Sequence, residues 1–420
     1  MKKDRRSPLW QISVVIACLS ALLGSLDSAI NIGFPAITAA FSLEVTAIQW
    51  VIVGYVLTHA SLLIGCGALA DRWGHARLLA YGLLVSAFGF TCCGIASTFA
   101  WLVVGRIIQG AGAALVFATA PALVTLTVSA ESRGRALGIY QMCTAVGYAV
   151  GPLLGGMLID IFGWRATFLF RVAPAVLLAA LAAFKFPTRE QPSTGQRGKP
   201  PWAVLSVAHL PPFIIANFLS VLANCARFAI GLLLPYYVIN VLRYPATTGG
   251  TLMLATYLLT ILAAPLAGKL SDRIGTARLS SLGLAVQGFG LWMLSRLDGQ
   301  TDYFSLALAL GVVGLGLGIF EAPNMSFIMG SIPRSHQGIA GSIAAMMRPL
   351  GIVLGATGWS LLFERRQQSY SVPVSIKSSV AISGMLPALQ DVFLSAAGVC
   401  CAAFILSLCR KDEHRRLDSD

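Results

Sequence analysis

The stretch Gly67-Ala-Leu-Ala-Asp71-Arg72-Trp-Gly74-His-Ala-Arg77 returns 201 residues later as Gly268-Lys-Leu-Ser-Asp272-Arg273-Ile-Gly275-Thr-Ala-Arg278. A second echo keeps nearly the same spacing. Arg133-Gly134 through Gly147 and Gly151 is matched by Gln337-Gly338 through Gly351 and Gly355, an offset of 204. Two matches in one order at nearly one offset mark a duplicated unit. Long uncharged runs surround each copy: 45–70, 78–105, 107–130, 136–159, 200–226 and 244–268 hold no Asp, Glu, Lys or Arg. A helix needs about 20 such residues to cross a ~30 Å hydrocarbon core. Admitting isolated charges adds 9–37, 166–186, 207–241, 278–296, 303–331, 337–363 and 388–409, and because 200–226 runs into 207–241 the total is twelve spans.

Composition excludes the soluble classes. Of 420 residues, 56% are hydrophobic and 11% charged, with a mean hydropathy of +0.77, against roughly 25% charged in a soluble domain. The 42 glycines follow no Gly-X-Y period, which excludes collagen, and the apolar content excludes disorder. The net charge of +13 records topology. Of the 30 lysines and arginines, 20 lie at the termini and in alternate loops, six in the opposite loops and four inside spans. The side with 20 is the cytoplasm by the positive-inside rule, so both termini are expected there, from a multi-pass chain in the inner (plasma) membrane. No basic folded face exists for a nucleic acid, and a monomer in the lipid bilayer is expected.

The basic start resembles a signal peptide, but the apolar run is long and contains Asp27, so it reads as an uncleaved first span. The nine cysteines lie in apolar stretches without CxxC spacing and read as packing residues, with no disulfide or metal site. The longest polar break, Pro187–Pro201, reads as a cytoplasmic linker. The expected organisation is an N-terminal half over 1–186, a linker over 187–203 and a C-terminal half with a short tail over 204–420.

The duplicated motif, placed between spans two and three and again between eight and nine, resembles the signature of the major facilitator superfamily. Three further stretches agree. Leu26-Asp27-Ser28-Ala-Ile-Asn31-Ile-Gly-Phe-Pro35 resembles the span-one signature of its drug:proton antiporters. Arg106-Ile-Ile-Gln109-Gly110-Ala-Gly112 resembles their span-four motif, and Gly147-Tyr-Ala-Val-Gly151-Pro152-Leu-Leu-Gly155-Gly156 the span-five motif of the exporters. The resemblance implies an all-α membrane fold of twelve helices in two pseudo-symmetric six-helix halves, and proton-coupled efflux. Many members of that branch have fourteen helices; this chain has room for twelve. Parallel repeats of this kind bind substrate between the halves near the midplane.

Intramembrane charge is costly and points to function. Six ionisable residues lie in spans: Asp27, Arg106, Arg171, Arg227, Glu321 and Arg348. At ~1.5 Å rise per residue, Asp27 lies about 15 Å and Arg106 about 8 Å from the periplasmic ends of their spans, near enough to meet through an intervening side chain or water. Glu321 and Arg348 both lie about 15 Å from their cytoplasmic ends, could pair directly, and are expected to share in proton coupling with Asp27 and Arg106. Asp27 is the expected proton site; a static bond to Asn31 is the plainer alternative. Arg106 matches the family arginine that serves the proton site, against the alternative of an interfacial arginine snorkelling outward. Arg171 stands where the family pattern often has Asn.

Polar stripes on apolar helices mark a cavity. Span seven carries Asn217, Ser220, Asn224 and Arg227, and span five Gln141, Thr144 and Tyr148. Asn31, Tyr55, His59, Gln109 and Asn324 complete the expected substrate lining; His59 reads either as a packing residue or as a proton carrier. Gating is expected from Gly67, Asp71, Arg72, Gly74 and Arg77, from their second copies Gly268, Asp272 and Arg273, and from the stripe Gly147, Gly151 and Pro152. Asp71 can pair with an arginine across the seam of the halves, or stand as a solvated loop charge. The glycine stripe reads foremost as a close helix packing face.

No GxSxG, HExxH or clustered His/Cys pattern supports an enzyme, and no Walker loop supports ATP as the energy source. Separated acids and buried arginines argue against a continuous ion ring. A proton-coupled transporter of small molecules without cofactor remains. Its substrate is either an amphipathic drug or metabolite or, because four buried arginines outnumber two acids, an organic anion or phosphate-bearing metabolite.

Overall fold

A computed structural model describes residues 8–128, 132–185, 211–332, 337–370 and 384–410. Its elements are helical throughout. In chain order they are α1 (Pro8–Ser25), a 3₁₀ segment (Leu26–Gly33), α2 (Phe34–Ala40), α3 (Gln49–Trp73), α4 (His75–Gly94), α5 (Phe99–Thr127), α6 (Arg133–Phe162), α7 (Ala166–Leu169) and α8 (Val172–Lys185). The second half continues with α9 (Pro211–Tyr236), α10 (Ala246–Ile274), α11 (Thr276–Leu294), α12 (Tyr303–Gly330), α13 (Gln337–Tyr370) and α14 (Met385–Ser407). Eleven helices among the described residues are long and apolar enough to cross a membrane. α11 is the twelfth expected span. It forms a 19-residue helix, but Thr276, Arg278, Ser280, Ser281 and Gln287 dilute its hydropathy.

The described residues cluster into two compact units, one from Met1–Arg197 with Pro245–Gly250, the other from Gly198–Tyr244 with Thr251–Asp420. The expected linker 187–203 lies outside the described residues. Equivalent helices pack alike within each unit: α4 on α5 and α11 on α12, α1 on α6 and α9 on α13, α4 on α8 and α11 on α14. Leu79, Leu83, Phe90 and Val116 sit in the apolar core of the first unit; Phe213 and Phe327, and Leu219 and Phe320, sit in cores of the second. Phe88, Phe184, Leu266 and Phe304 are exposed, as lipid-facing residues must be.

Local chemistry fixes the same boundaries in both halves. Thr98 caps α5, its side chain accepting from the Trp101 amide, and Asp302 caps α12, accepting from the Phe304 and Ser305 amides at 3.0 and 3.1 Å. The Ser305 hydroxyl and these amides hold the Asp302 carboxyl below the usual carboxylate range. Gly74 and Gly275 end α3 and α10 at φ of 91° and 102°, a conformation that costs a side-chain-bearing residue. That requirement gives the duplicated motif its second glycine. Gly67 and Gly268 differ: a Cβ at either would meet nothing within 4 Å.

One boundary departs from the sequence reading. The uncharged window 78–105 divides, because Ile95–Thr98 is a loop without charged residues. α5 therefore starts at Phe99, and Arg106 lies about 10 Å along it rather than about 8 Å. Within the first unit, which takes in the start of α10, Asp160 accepts from the Ala246 and Thr247 amides of that helix's first turn at 3.0 and 2.8 Å.

Candidate functional site

The first unit holds its buried charge at one point. The 3₁₀ segment Leu26–Gly33 interrupts the first span and carries Asp27, which is buried. Arg106 from α5 grips the carboxylate with both terminal nitrogens, Nη1 to Oδ1 at 2.7 Å and Nη2 to Oδ2 at 2.9 Å. The same Oδ1 accepts from Gln109 Nε2 at 2.6 Å and from Arg171 Nη1 at 3.0 Å. Arg106 and Arg171 are 2% and 0% exposed, so snorkelling is excluded for both.

The guanidiniums are fixed by more than the acid. Arg106 Nε donates to Val51 O at 2.9 Å, and its Nη1 to Gln109 Oε1 at 2.7 Å. Arg171 Nε donates to Thr167 O at 3.2 Å. Tyr55 lies under Arg106 and Phe90 under Arg171, each ring centroid 4.3 Å from the guanidinium carbon, close enough for cation–π attraction. Bidentate, charge-assisted geometry of this kind specifies both position and charge. With Asp27 ionised, the cluster carries a net charge of +1.

Sequence reading found Asp27 and Arg106 but expected an intervening group; the pair is direct. It left Arg171 unassigned. The signal was present: Asp27 is the one acid within the spans of its half, while two arginines share that half. Gln109, expected in the substrate lining, belongs to the charge cluster. His59 stacks on Tyr55 with centroids 6.1 Å apart and meets Phe117 at 5.4 Å; its Nε2 is buried without a hydrogen-bond partner. Asn31 and Tyr148 are half-buried, Gln141 is exposed, and Thr144 donates to Tyr140 O in its own helix at 3.0 Å.

The glycine stripe is a packing face. A Cβ at Gly147 would lie 2.7 Å from Leu22 O, at Gly151 it would meet Ser28 Oγ, and at Gly155 it would meet Ala29 O. Asp71 is exposed, with Oδ1 3.6 Å from His75 Nε2; Asp272 and Arg273 are exposed.

The second unit carries the α9 stripe. Asn217 Nδ2 donates to Phe213 O at 2.8 Å and Asn224 Nδ2 to Ser220 O at 3.0 Å. Asn217 Oδ1, Asn224 Oδ1 and Arg227 Nε are buried without hydrogen-bond partners. Asn324 is tied up inside the unit: Nδ2 donates to Ala216 O and Ser220 Oγ, and Oδ1 accepts from Arg410. Glu321 and Arg348 are half-buried. Arg227 has no acid within ion-pair distance among the described residues.

The family model described as "Major Facilitator Superfamily" matches residues 16–356. Among curated proteins, the chain is 27% identical to the riboflavin transporter RibZ of Clostridioides difficile, across 94% of this chain and 96% of that protein. It is 25% identical to the multidrug resistance protein Stp of Mycobacterium tuberculosis (82% and 74% covered) and 24% identical to a methylenomycin A resistance protein of Streptomyces coelicolor (84% and 85%). Among solved structures, a bacterial homologue of the human lysosomal transporter Spinster superposes with a TM-score of 0.80 at 16% identity, covering 97% of this chain and 98% of that one. The nucleoside transporter NupG follows with a TM-score of 0.74 at 13% identity, covering 96% and 100%.

Proposed function

From the premise that the chain belongs to the Major Facilitator Superfamily, we propose that it is a proton-coupled secondary transporter exporting amphipathic drugs or metabolites by alternating access. It is a multi-pass membrane transporter rather than an enzyme. Relatives named for riboflavin transport and for multidrug resistance support both parts of the phrase "drugs or metabolites". The observation that carries proton coupling is the buried Asp27 carboxylate gripped by two arginines inside a span. A proton arriving there cancels the one negative charge that holds both guanidiniums. Breaking a buried pair costs about 3–5 kcal/mol, enough to drive a change of state. The membrane is the inner one, with both termini cytoplasmic, and the transporter acts as a monomer. Asp71, Arg72 and their second copies serve as the gate.

Flux in proteoliposomes under an imposed pH gradient tests this. Asp27→Asn keeps one acceptor oxygen for the arginines but loses the titrating group, so gradient-driven flux falls at least about 100-fold while substrate binding stays within a few-fold. Asp27→Glu retains partial coupling. Undiminished coupled flux in Asp27→Asn overturns the assignment.

A second reading, transport of an organic anion or phosphate-bearing metabolite, has its own observation. Asp27 is committed to Arg106 and Arg171, and Arg227 has no acid among the described residues to neutralise it. An anionic substrate would meet that arginine directly. Arg227→Ala then weakens anion binding by about 2 kcal/mol, roughly thirtyfold, and Arg227→Lys recovers part of it because a point charge replaces a planar fork. For a lipophilic cation the same truncation is neutral or tightens binding. The sign of the change distinguishes the two substrates.

A further inference from the structure

On the second unit, the opening turns of α11 and the end of α14 leave a groove of about 590 Å³ that plays no part in the transport scheme. Its polar wall is Arg278, Ser281, Ser407 and Arg410; its apolar wall includes Leu282, Phe404 and Leu408. Arg410 is built in. It is 7% exposed, Nη1 donates to Asn324 Oδ1 at 2.7 Å, Nη2 donates to Ser280 Oγ at 2.8 Å, and its guanidinium lies 5.0 Å from the Phe327 ring centroid. The Ser407 hydroxyl meets that of Ser281 at 2.6 Å, joining the two helices at the floor. Arg278 and Leu282 are exposed at the rim.

The order of these groups along the helices carries the argument. Arg278 opens α11, and Leu282 lies one turn, about 6 Å, further into the span. Arg410 follows the end of α14, and Phe404 lies inside that helix. Cationic groups therefore stand at one membrane border with apolar groups directly below them. That border belongs to the side holding 20 of the 30 lysines and arginines, the cytoplasmic side by the positive-inside rule, where the leaflet is rich in anionic lipid. A free phosphate would use the arginines and leave the apolar wall idle. A lipid uses both.

We propose that this groove binds an anionic glycerophospholipid, its headgroup phosphate between Arg278 and Arg410 and an acyl chain along Leu282 and Phe404. The volume lies within the range of pockets that enclose a small ligand, which suits a glycerol-phosphate headgroup.

Native mass spectrometry of the full-length protein, delipidated in detergent and titrated with palmitoyl-oleoyl phosphatidylglycerol or the matching phosphatidylcholine, tests the site. The expected result is retention of phosphatidylglycerol at least about tenfold over phosphatidylcholine. Arg278→Gln, at an exposed position that leaves the fold intact, lowers phosphatidylglycerol binding about fivefold, as expected for one basic group at an anionic surface. Arg278→Lys restores most of it, and Leu282→Gln weakens it without changing the headgroup preference. Equal binding of the two lipids, or an unchanged Arg278→Gln, overturns the proposal. Displacement of phosphatidylglycerol by millimolar inorganic phosphate also overturns it, by showing a free-anion site.

Discussion

Within the first unit, a Cβ at Gly147 of α6 would lie 2.7 Å from Leu22 O; within the second, one at Gly351 of α13 would lie 2.6 Å from Val221 O. Other close approaches recur as faithfully. Gly110 meets Tyr55 O as Gly314 meets Thr256 O, and Gly89 meets the Gln109 backbone as Gly290 meets that of Val313. Those contacts fix which residues correspond, and the side chains at corresponding places are opposite in kind. Ala226, Leu310 and Val313, all fully buried, stand where the first unit has Asp27, Arg106 and Gln109. One residue beyond, Arg227 stands opposite Ser28. Duplication has preserved the backbone crossings, which only small residues permit, and has left the charge free to diverge. The first unit gathers a carboxylate and two arginines; in the second, α9 carries Arg227 and the amide oxygens of Asn217 and Asn224, buried without hydrogen-bond partners.

The largest effect comes from giving the first unit the residue of the second. Asp27→Ala strips the acid from two buried guanidiniums and costs about 3–5 kcal/mol of stability. Adding Arg106→Leu, Gln109→Val and Arg171→Met replaces the whole cluster by apolar side chains of similar volume. Such replacements of buried ion networks are often neutral, so the quadruple variant recovers to within about 1 kcal/mol of the parent. Unfolding in detergent checks this. A quadruple variant as unstable as Asp27→Ala would mean that the crossing itself requires charge, and the comparison of the two units would fail.

A smaller effect should be equal in both units. Gly147→Ala places a methyl 2.7 Å from Leu22 O, and Gly351→Ala places one 2.6 Å from Val221 O. Backbone cannot swing aside as a side chain tip can, so each substitution costs about 1–3 kcal/mol. A large cost in one unit only would show that the crossings are not equivalent.

How much of this was legible follows from which interactions are local. Twelve spans and two halves were readable because span length, charge spacing and the repeated motif are properties of the chain itself. Gly147 and Gly151 read correctly as a packing face because a helix face repeats every few residues. The partners of Asp27 were harder. Arg106 is 79 residues away and Arg171 is 144 away, and no periodicity connects them; only counting acids against arginines within one half would have joined all three. The uncharged loop Ile95–Thr98 hid a helix boundary because counting charges cannot see a turn made of Ile, Ala, Ser and Thr.

The smallest effect concerns His59, one turn beyond Tyr55, whose counterpart is Thr260. The two sites satisfy their polar atoms differently. Thr260 Oγ1 donates to Thr256 O at 2.8 Å and lies 2.9 Å from Gly314 O, whereas His59 Nε2 is buried without a hydrogen-bond partner between two aromatic rings. His59→Phe keeps the ring contacts and removes an unsatisfied polar atom, so stability changes by less than about 1 kcal/mol, in the stabilising direction. Thr260→Val removes the donor from two carbonyls and costs about 1 kcal/mol. Opposite signs at corresponding positions would confirm that His59 serves packing, and proton-driven flux should then survive His59→Phe unchanged. Loss of that flux with the fold intact would move a proton-carrying step onto His59 and make Asp27 one of two titrating groups in the first unit.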